Sequence, residues 1–294
     1  MRLASLLLLC VALPAMGQSL APSVPTKVLV TITDKSGYPP EVDLRDRLEI
    51  REDHILQKID SILPASEMPI HVAIFMDESG RFATYKNQEQ SAINTFLGHF
   101  VRNGVDKPYL LAFGKGASSM NSIRDYSDYK AARSNNRVAS GEAVLDGMKT
   151  FVDALNKSFG EKFPDRRAVI IFSNGGAEIS LDELPRLLDY AVANHLTIYE
   201  VDTDWAQRSG FSGSTIRDLI ENTGGTIELP GNVAQFGDAL NAMGANIRNQ
   251  YEITYETTHP DGKLHALSVR ALDKNLIVRA PEKHMSPIPS TAVQ

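Results

Sequence analysis

Ile70-His-Val-Ala-Ile-Phe-Met76, Tyr109-Leu-Leu-Ala-Phe113, Ala168-Val-Ile-Ile-Phe172 and Leu196-Thr-Ile-Tyr-Glu-Val201 carry apolar side chains on successive residues. A strand with one wet face alternates apolar and polar residues. A strand apolar throughout must be covered on both faces, the condition inside a mainly parallel sheet. Helical patterns near 88–101, 141–159, 181–194, 215–221 and 233–249 separate these runs, with a short strand at Thr226-Ile-Glu-Leu229 before the last helix. The order predicts a doubly wound α/β domain over residues 67–247. No repeat of solenoid or propeller period interrupts it.

The flanks have a different rhythm. Lys27-Val-Leu-Val-Thr-Ile-Thr33 puts Val28, Val30 and Ile32 on one face, and Leu48-Glu-Ile-Arg51 and Ile55-Leu-Gln-Lys-Ile59 read as a hairpin about Glu52-Asp53-His54. At the other end, Tyr251-Glu-Ile-Thr-Tyr255, Leu267-Ser-Val-Arg-Ala271 and Leu276-Ile-Val-Arg279 alternate around the turn residues Asp261-Gly262 and Asp273-Lys-Asn275. Neither set can bury a face alone. Residues 18–66 and 248–280 are therefore expected to form one small antiparallel β-sandwich, with the α/β domain inserted between them. Residues 281–294, with three prolines, are expected to be a disordered tail.

The first residues read as a targeting segment. Arg2 precedes an apolar run from Leu3 to Leu13, too short to span a bilayer, and Ala15-Met16-Gly17 offers a signal-peptidase site with cleavage after Gly17. Residues 1–17 are thus expected to be a signal peptide, and the mature chain exported, periplasmic or secreted, without a membrane span. The single cysteine, Cys10, lies inside that run, so the mature chain has no disulfide and no thiolate ligand. A net charge of −6 gives no electrostatic footprint for nucleic acid.

Particular residues sharpen the fold assignment. The first apolar run ends in Met76-Asp77-Glu78-Ser79-Gly80 and the third in Phe172-Ser173-Asn174-Gly175. The last short strand is preceded by Glu221-Asn222-Thr223-Gly224-Gly225, and the last helix runs into Arg248-Asn249-Gln250-Tyr251. This order resembles a von Willebrand factor A domain, specifically the exported bacterial VWFA-related family. The flanking Val30-Thr-Ile-Thr-Asp-Lys35, Leu48-Glu-Ile-Arg-Glu-Asp53 and Asp261-Gly-Lys263 agree with it. The resemblance covers roughly residues 27–280.

The resemblance implies a divalent-cation site at the carboxyl ends of the strands. In the family it is built from Asp-x-Ser-x-Ser, a Thr before a central helix and a later Asp, and a partner's carboxylate completes the shell. Mg2+ wants about six oxygens at roughly 2.0–2.1 Å. By that correspondence Asp77 and Ser79 are retained, Arg81 replaces the second Ser, Glu142 the Thr, and Asn174 the Asp. Asp77 and Glu142 contribute −2, and Arg81 brings the set to −1. A guanidinium beside a dication costs several kcal/mol at an effective dielectric of about 20. Arg81 is therefore expected to take the cation's place by pairing with Asp77 and Glu142, and no cofactor is expected. The alternative is that Arg81 turns outward and Asp77, Ser79 and Glu142 hold Mg2+ or another divalent cation. A third reading makes Asp77 and Ser79 caps of the loop after the strand.

The expected function is protein recognition, by a rim of Asp77, Ser79, Arg81, Glu142, Asn174 and Trp205, with an unidentified protein ligand and no catalysis. Trp205, near Phe211, is either an anchor for that ligand or packed on a helix. The alternatives are a cell-envelope hydrolase using Asp77 and Glu142 as a carboxylate pair, or a structural envelope component. The Gly-x-Ser-x-Gly elbow is absent around Ser79, because Asp77 and Arg81 stand where its glycines belong. The seven histidines have no metal-ligand spacing and read as turn or surface residues, with His71 directed at a helix. Phe113-Gly-Lys-Gly116 lacks phosphate-loop spacing, and Gly224-Gly225 reads as a helix end in left-handed geometry. Tyr126, Tyr129 and Lys130 fall in a long irregular stretch, 117–139, which is either a binding loop or an excursion without function.

Overall fold

The computed structural model describes residues 24–77, 85–113, 121–122, 141–159, 166–173, 179–202 and 214–288. The N-terminal flank forms β1 (Val24–Asp34), β2 (Leu48–Glu52), β3 (Ile55–Gln57) and β4 (Ile59–Pro64). The middle forms β5 (Ile70–Asp77), α1 (Lys86–Phe100), β6 (Lys107–Phe113), β7 (Asn121–Ser122), α2 (Gly141–Phe159) and β8 (Arg166–Ser173). It continues with α3 (Leu184–Ala193), β9 (Leu196–Asp202), α4 (Ser214–Asn222), β10 (Ile227–Glu228) and α5 (Phe236–Arg248). The C-terminal flank forms β11 (Gln250–Thr257), β12 (Leu264–Ala271), β13 (Leu276–Arg279) and β14 (Lys283–Met285).

Every residue of β8 is buried, as a strand apolar on both faces requires. It lies inside a sheet of order β10-β9-β8-β5-β6-β7, in which all strands run parallel except β7. Ala73 and Phe75 face one core, built with Val144, Met148 and Phe151 of α2, Leu187 of α3 and Leu219 of α4. Val72, Ile74 and Met76 face a second core with Phe96 of α1 and Leu240, Met243 and Ile247 of α5. Burying one such side chain contributes about 1.5–3 kcal/mol, so the two filled faces hold the domain together. The doubly wound α/β class read from the apolar runs is the class observed.

Local sequence explains the element ends. Pro185, in the first turn of α3, fixes where that helix starts, three residues later than its periodicity suggested. Gly224, at φ +83°, ends α4 in left-handed geometry as expected. Gly225 is required for another reason. A Cβ there would stand 1.7 Å from the Ile198 carbonyl oxygen.

The flanks form two four-stranded antiparallel sheets, β13-β1-β11-β4 and β14-β12-β2-β3. Val30 and Ile32 of β1, Ile50 of β2, Ile253 and Tyr255 of β11 and Leu267 of β12 share one core, so the sheets pack as a sandwich drawn from both ends of the chain. The β2–β3 turn places Asp53 and His54 at φ 47° and 68°. This is the two-residue geometry that matches strand twist, and Asp and His tolerate it better than most residues.

One expectation is corrected here. Residues from 281 were read as disordered on their prolines, yet β14 pairs antiparallel with β12, His284 opposite His265, and Pro281 bridges to Thr223. The strand is held because His284 is buried and bonded to Glu52 and Tyr255.

Two buried charged groups brace the α/β layer, and one of them, Arg166, also ties it to the sandwich. Arg166, fully buried at the start of β8, donates to the carbonyls of Ala65, at 2.5 Å, and Ile247, and to Gln250 Oε1. Asp106 accepts from the Ile70 amide and from Arg102 and Arg248. Among the described residues no helix is long and apolar enough to cross a membrane.

Candidate functional site

After β5 the chain moves to β6 on one side, then returns to β8 and continues to β9 and β10 on the other. The reversal falls between the carboxyl ends of β5 and β8, the position at which open α/β sheets bind ligands. Asp77 closes β5 there, its Cα registered with Phe113, while Met76 pairs with Phe172 and Ser173 with Asp202. α2 and α3 begin at this edge. A Cβ on Gly141 would lie 2.8 Å from Glu183 Oε2.

Glu142 stands exposed in the first turn of α2, where its charge complements the helix dipole. It accepts a hydrogen bond from the Arg186 guanidinium of α3, a partner on another helix that sequence spacing did not suggest. Both side chains are about half exposed, so the pair adds little stability and stays available to a ligand. Ser79, Arg81, Asn174 and Trp205, like Tyr126, Tyr129 and Lys130, lie outside the described residues. The Asp77 backbone closes β5 and Glu142 opens α2 at the same edge of the sheet.

Beneath the rim, Ser173 Oγ donates to Glu200 Oε1 at 2.6 Å. Both residues are buried, and burial pushes the Glu200 carboxyl up to about 8, so it is neutral at pH 7. A protonated acid cannot take a proton from Ser173, and neither group reaches solvent. The pair is a buried rim support rather than a nucleophile and its base. Glu200 sits inside an apolar run, where it passed as a strand residue.

A second constellation was not anticipated. Three histidines read as turn or surface residues meet in the sandwich. Glu52, fully buried at the end of β2, accepts from Thr257 Oγ1 at 2.6 Å and lies 2.6 Å from His284 Nε2. Tyr255 Oη is 2.8 Å from the same ring nitrogen, and His259 Nδ1 is 3.8 Å from Glu52 Oε2. His265 is clasped between carboxylates, Nδ1 at 2.7 Å from Asp53 and Nε2 at 2.8 Å from Asp261. Burial opposes charge on His265, but the bonds to Asp261 and Asp53 outweigh it and raise its pKa. The His265 bond in turn holds Asp53 low and Asp261 down at about 2. Burial lowers His284 despite Glu52. His71 lies apart, buried and stacked on Tyr109 at a ring separation of 6.1 Å, with burial lowering its pKa to about 4.

A doubly wound, mainly parallel sheet flanked by helices, carrying an antiparallel sandwich made from both flanks, makes this a mixed α/β protein. The chain is similar to a von Willebrand factor type A protein from Catenulispora acidiphila, at 12% identity and TM-score 0.46 over 92% of this chain and 75% of that one. It is also similar to proximal thread matrix protein 1 from the mussel byssus, at 11% identity and TM-score 0.48, covering 62% of this chain and 48% of that one. For the PilB minor pilin from Streptococcus sanguinis the figures are 10% identity, TM-score 0.43 and 62% of each chain. The chain spans about half to three quarters of the length of these structures. No family model and no curated protein matches it.

Proposed function

We propose that this chain is an exported protein-recognition module of the bacterial VWFA-related kind, without catalytic activity, whose binding face is the carboxyl-end rim of its parallel sheet. The carrying observation is the strand reversal between β5 and β8, which sets Asp77 and the exposed Glu142–Arg186 pair on one edge. Asp77, Ser79, Arg81, Glu142, Asn174 and Trp205 supply the charged, polar and aromatic groups that a protein ligand reads. Arg81 stands in for the cation of a degenerate metal-ion-dependent adhesion site, pairing with Asp77.

Immobilised protein should capture a discrete ligand from envelope extract, and Asp77→Ala and Arg81→Ala should each lose it. Lys274→Ala, an exposed change in the sandwich, should keep it. Capture that survives both rim changes refutes the proposed face. Thermal melting of Asp77→Ala with Mg2+ should match that without it, as should melting of the native protein. A magnesium-dependent rise of several degrees in the native protein alone would restore the cation to the rim. Turnover of any envelope substrate that Asp77→Asn abolishes would favour an enzyme instead.

A further inference from the structure

We infer that the sandwich carries a transition-metal site of the Zn2+ class, with Glu52, His259 and His265 as protein ligands and Asp53 and Asp261 as the carboxylates that orient them. The ligand atoms of Glu52, His259 and His265 all lie within 4.8 Å of one another. Two imidazoles and a carboxylate suit Zn2+, Cu2+ or Ni2+ better than Mg2+ or Ca2+, which want an all-oxygen shell. Three protein ligands leave a fourth position open to water or an incoming group.

The surroundings look built for an ion. A metal-bound histidine normally gives its other ring nitrogen to a carboxylate, which fixes ring orientation and raises ligand basicity. His265 has a carboxylate on each side, so whichever nitrogen takes the metal, the other keeps its partner. Asp53 is itself fixed, because Oδ1 accepts from the Ala266 amide while the residue sits in the left-handed turn. Charge points the same way. Glu52, Asp53 and Asp261 bring three carboxyl groups to the cluster, against Lys263 Nζ at 3.5 Å from Asp261. Glu52 is fully buried, where an uncompensated carboxylate is expensive, and its near donors are a hydroxyl and a histidine.

Ligands at tetrahedral bond lengths stand roughly 3.3 Å apart, so binding draws the group inward by about 1 Å. His259 supplies that movement. It lies on the connection between β11 and β12 with its side chain one-third exposed, which also gives the ion a way in. The site joins residues from opposite ends of the chain, the role a disulfide plays in many exported domains, in a sequence whose one cysteine is Cys10.

The test is titration of EDTA-treated, dialysed protein with zinc chloride by calorimetry, with Co2+ absorption as a second readout. The expected result is one saturating equivalent at micromolar or tighter affinity, a Zn2+-dependent rise in Tm, and the visible bands of tetrahedral cobalt. His259→Gln should weaken binding by about 10–100-fold while leaving the metal-free Tm near that of the native protein. His265→Gln should also lose the ion, and Asp77→Ala should bind as the native protein does. The inference is overturned if the native protein takes up no saturating ion, or if uptake survives both histidine changes. It is also overturned if Asp77→Ala alone abolishes uptake, which would place the ion at the rim.

Discussion

Asp106→Asn tests whether the α/β layer depends on one buried charge. The Asp106 side chain is fully buried. Oδ1 accepts from the Ile70 amide and Arg102 Nη2, both at 3.0 Å. Oδ2 accepts from the Arg102 amide at 2.9 Å, and from Arg102 Nε and Arg248 Nη2 at 3.0 Å. Asparagine offers one carbonyl and one NH2 group, so whichever way it is turned it loses at least two of these bonds, along with the charge facing both arginines. Removing one partner of a buried pair typically costs about 3–5 kcal/mol. At about 2–4 °C per kcal/mol for a domain of this size, Tm should fall by roughly 6–20 °C. Burial works against the Asp106 charge, but the Arg102 and Arg248 guanidiniums and the two backbone amides outweigh it and hold the pKa well below 3.8. A depressed acid contributes stability that is complete above its ordinary value of 3.8 and lost as the pH falls through the folded value. The gap between native and variant protein in urea unfolding should therefore be flat from about pH 5 to 8 and narrow below it. Asp60→Asn, an exposed change, should stay within about 0.5 kcal/mol. A loss under about 1 kcal/mol at pH 7, or a gap that widens in acid, would refute the reasoning.

Three further changes probe other parts of the molecule. Glu200 titrates near 8 when folded, against 4.5 ordinarily, so native stability should decline as pH rises from 4.5 toward 8. Glu200→Gln should remove that decline, matching the native protein near pH 4 and exceeding it at pH 8, and parallel urea midpoints across that range would count against the assignment. Gly225→Ala forces a Cβ to 1.7 Å from the Ile198 carbonyl and should cost more than about 4 kcal/mol, so soluble protein with an unchanged urea midpoint would contradict the packing. Ending the chain at Arg279 removes β14 and the His284 bond to Glu52, and should cost at least about 2 kcal/mol, whereas an unchanged midpoint would mean that the strand adds nothing.

What was legible in the sequence was what local pattern determines. β5, β8 and β9 could be read because strands covered on both faces run mostly apolar on successive residues, and the β2–β3 turn because Asp53-His54 suits positive φ. The end of β5 and the start of α2 could be placed at one edge because strand order and helix position follow from that rhythm. β14 was hidden because its prolines at 281 and 287 signal a breaker, while the force that orders it is a tertiary bond from His284. Arg186 escaped for a related reason, since a residue on α3 meets one on α2 only after both helices pack.

The histidine cluster shows why spacing rules have a blind side. They detect ligands that a single helix, strand or loop already holds close. Here Glu52 and His284 are 232 residues apart in sequence, and Glu52 and Thr257 are 205 apart. Closing such loops costs entropy that grows only as the logarithm of their length. The α/β body meets that cost, because it sets β4 and β11 side by side, with the Ala65 amide 2.8 Å from the Gln250 carbonyl and Arg166 clamped between them. Once the body has folded, the two flanks are neighbours, and the remaining pairing is nearly local. An ion held by Glu52, His259 and His265 would then bind the folded chain and find no equivalent in the unfolded one. Its affinity would appear in full as stability of the sandwich. Disrupting the body, as Asp106→Asn does, should therefore weaken zinc binding even though Asp106 lies in the α/β layer and outside the cluster. Zinc affinity that stays native in a partly unfolded Asp106→Asn protein would show the sandwich to fold without the body's help.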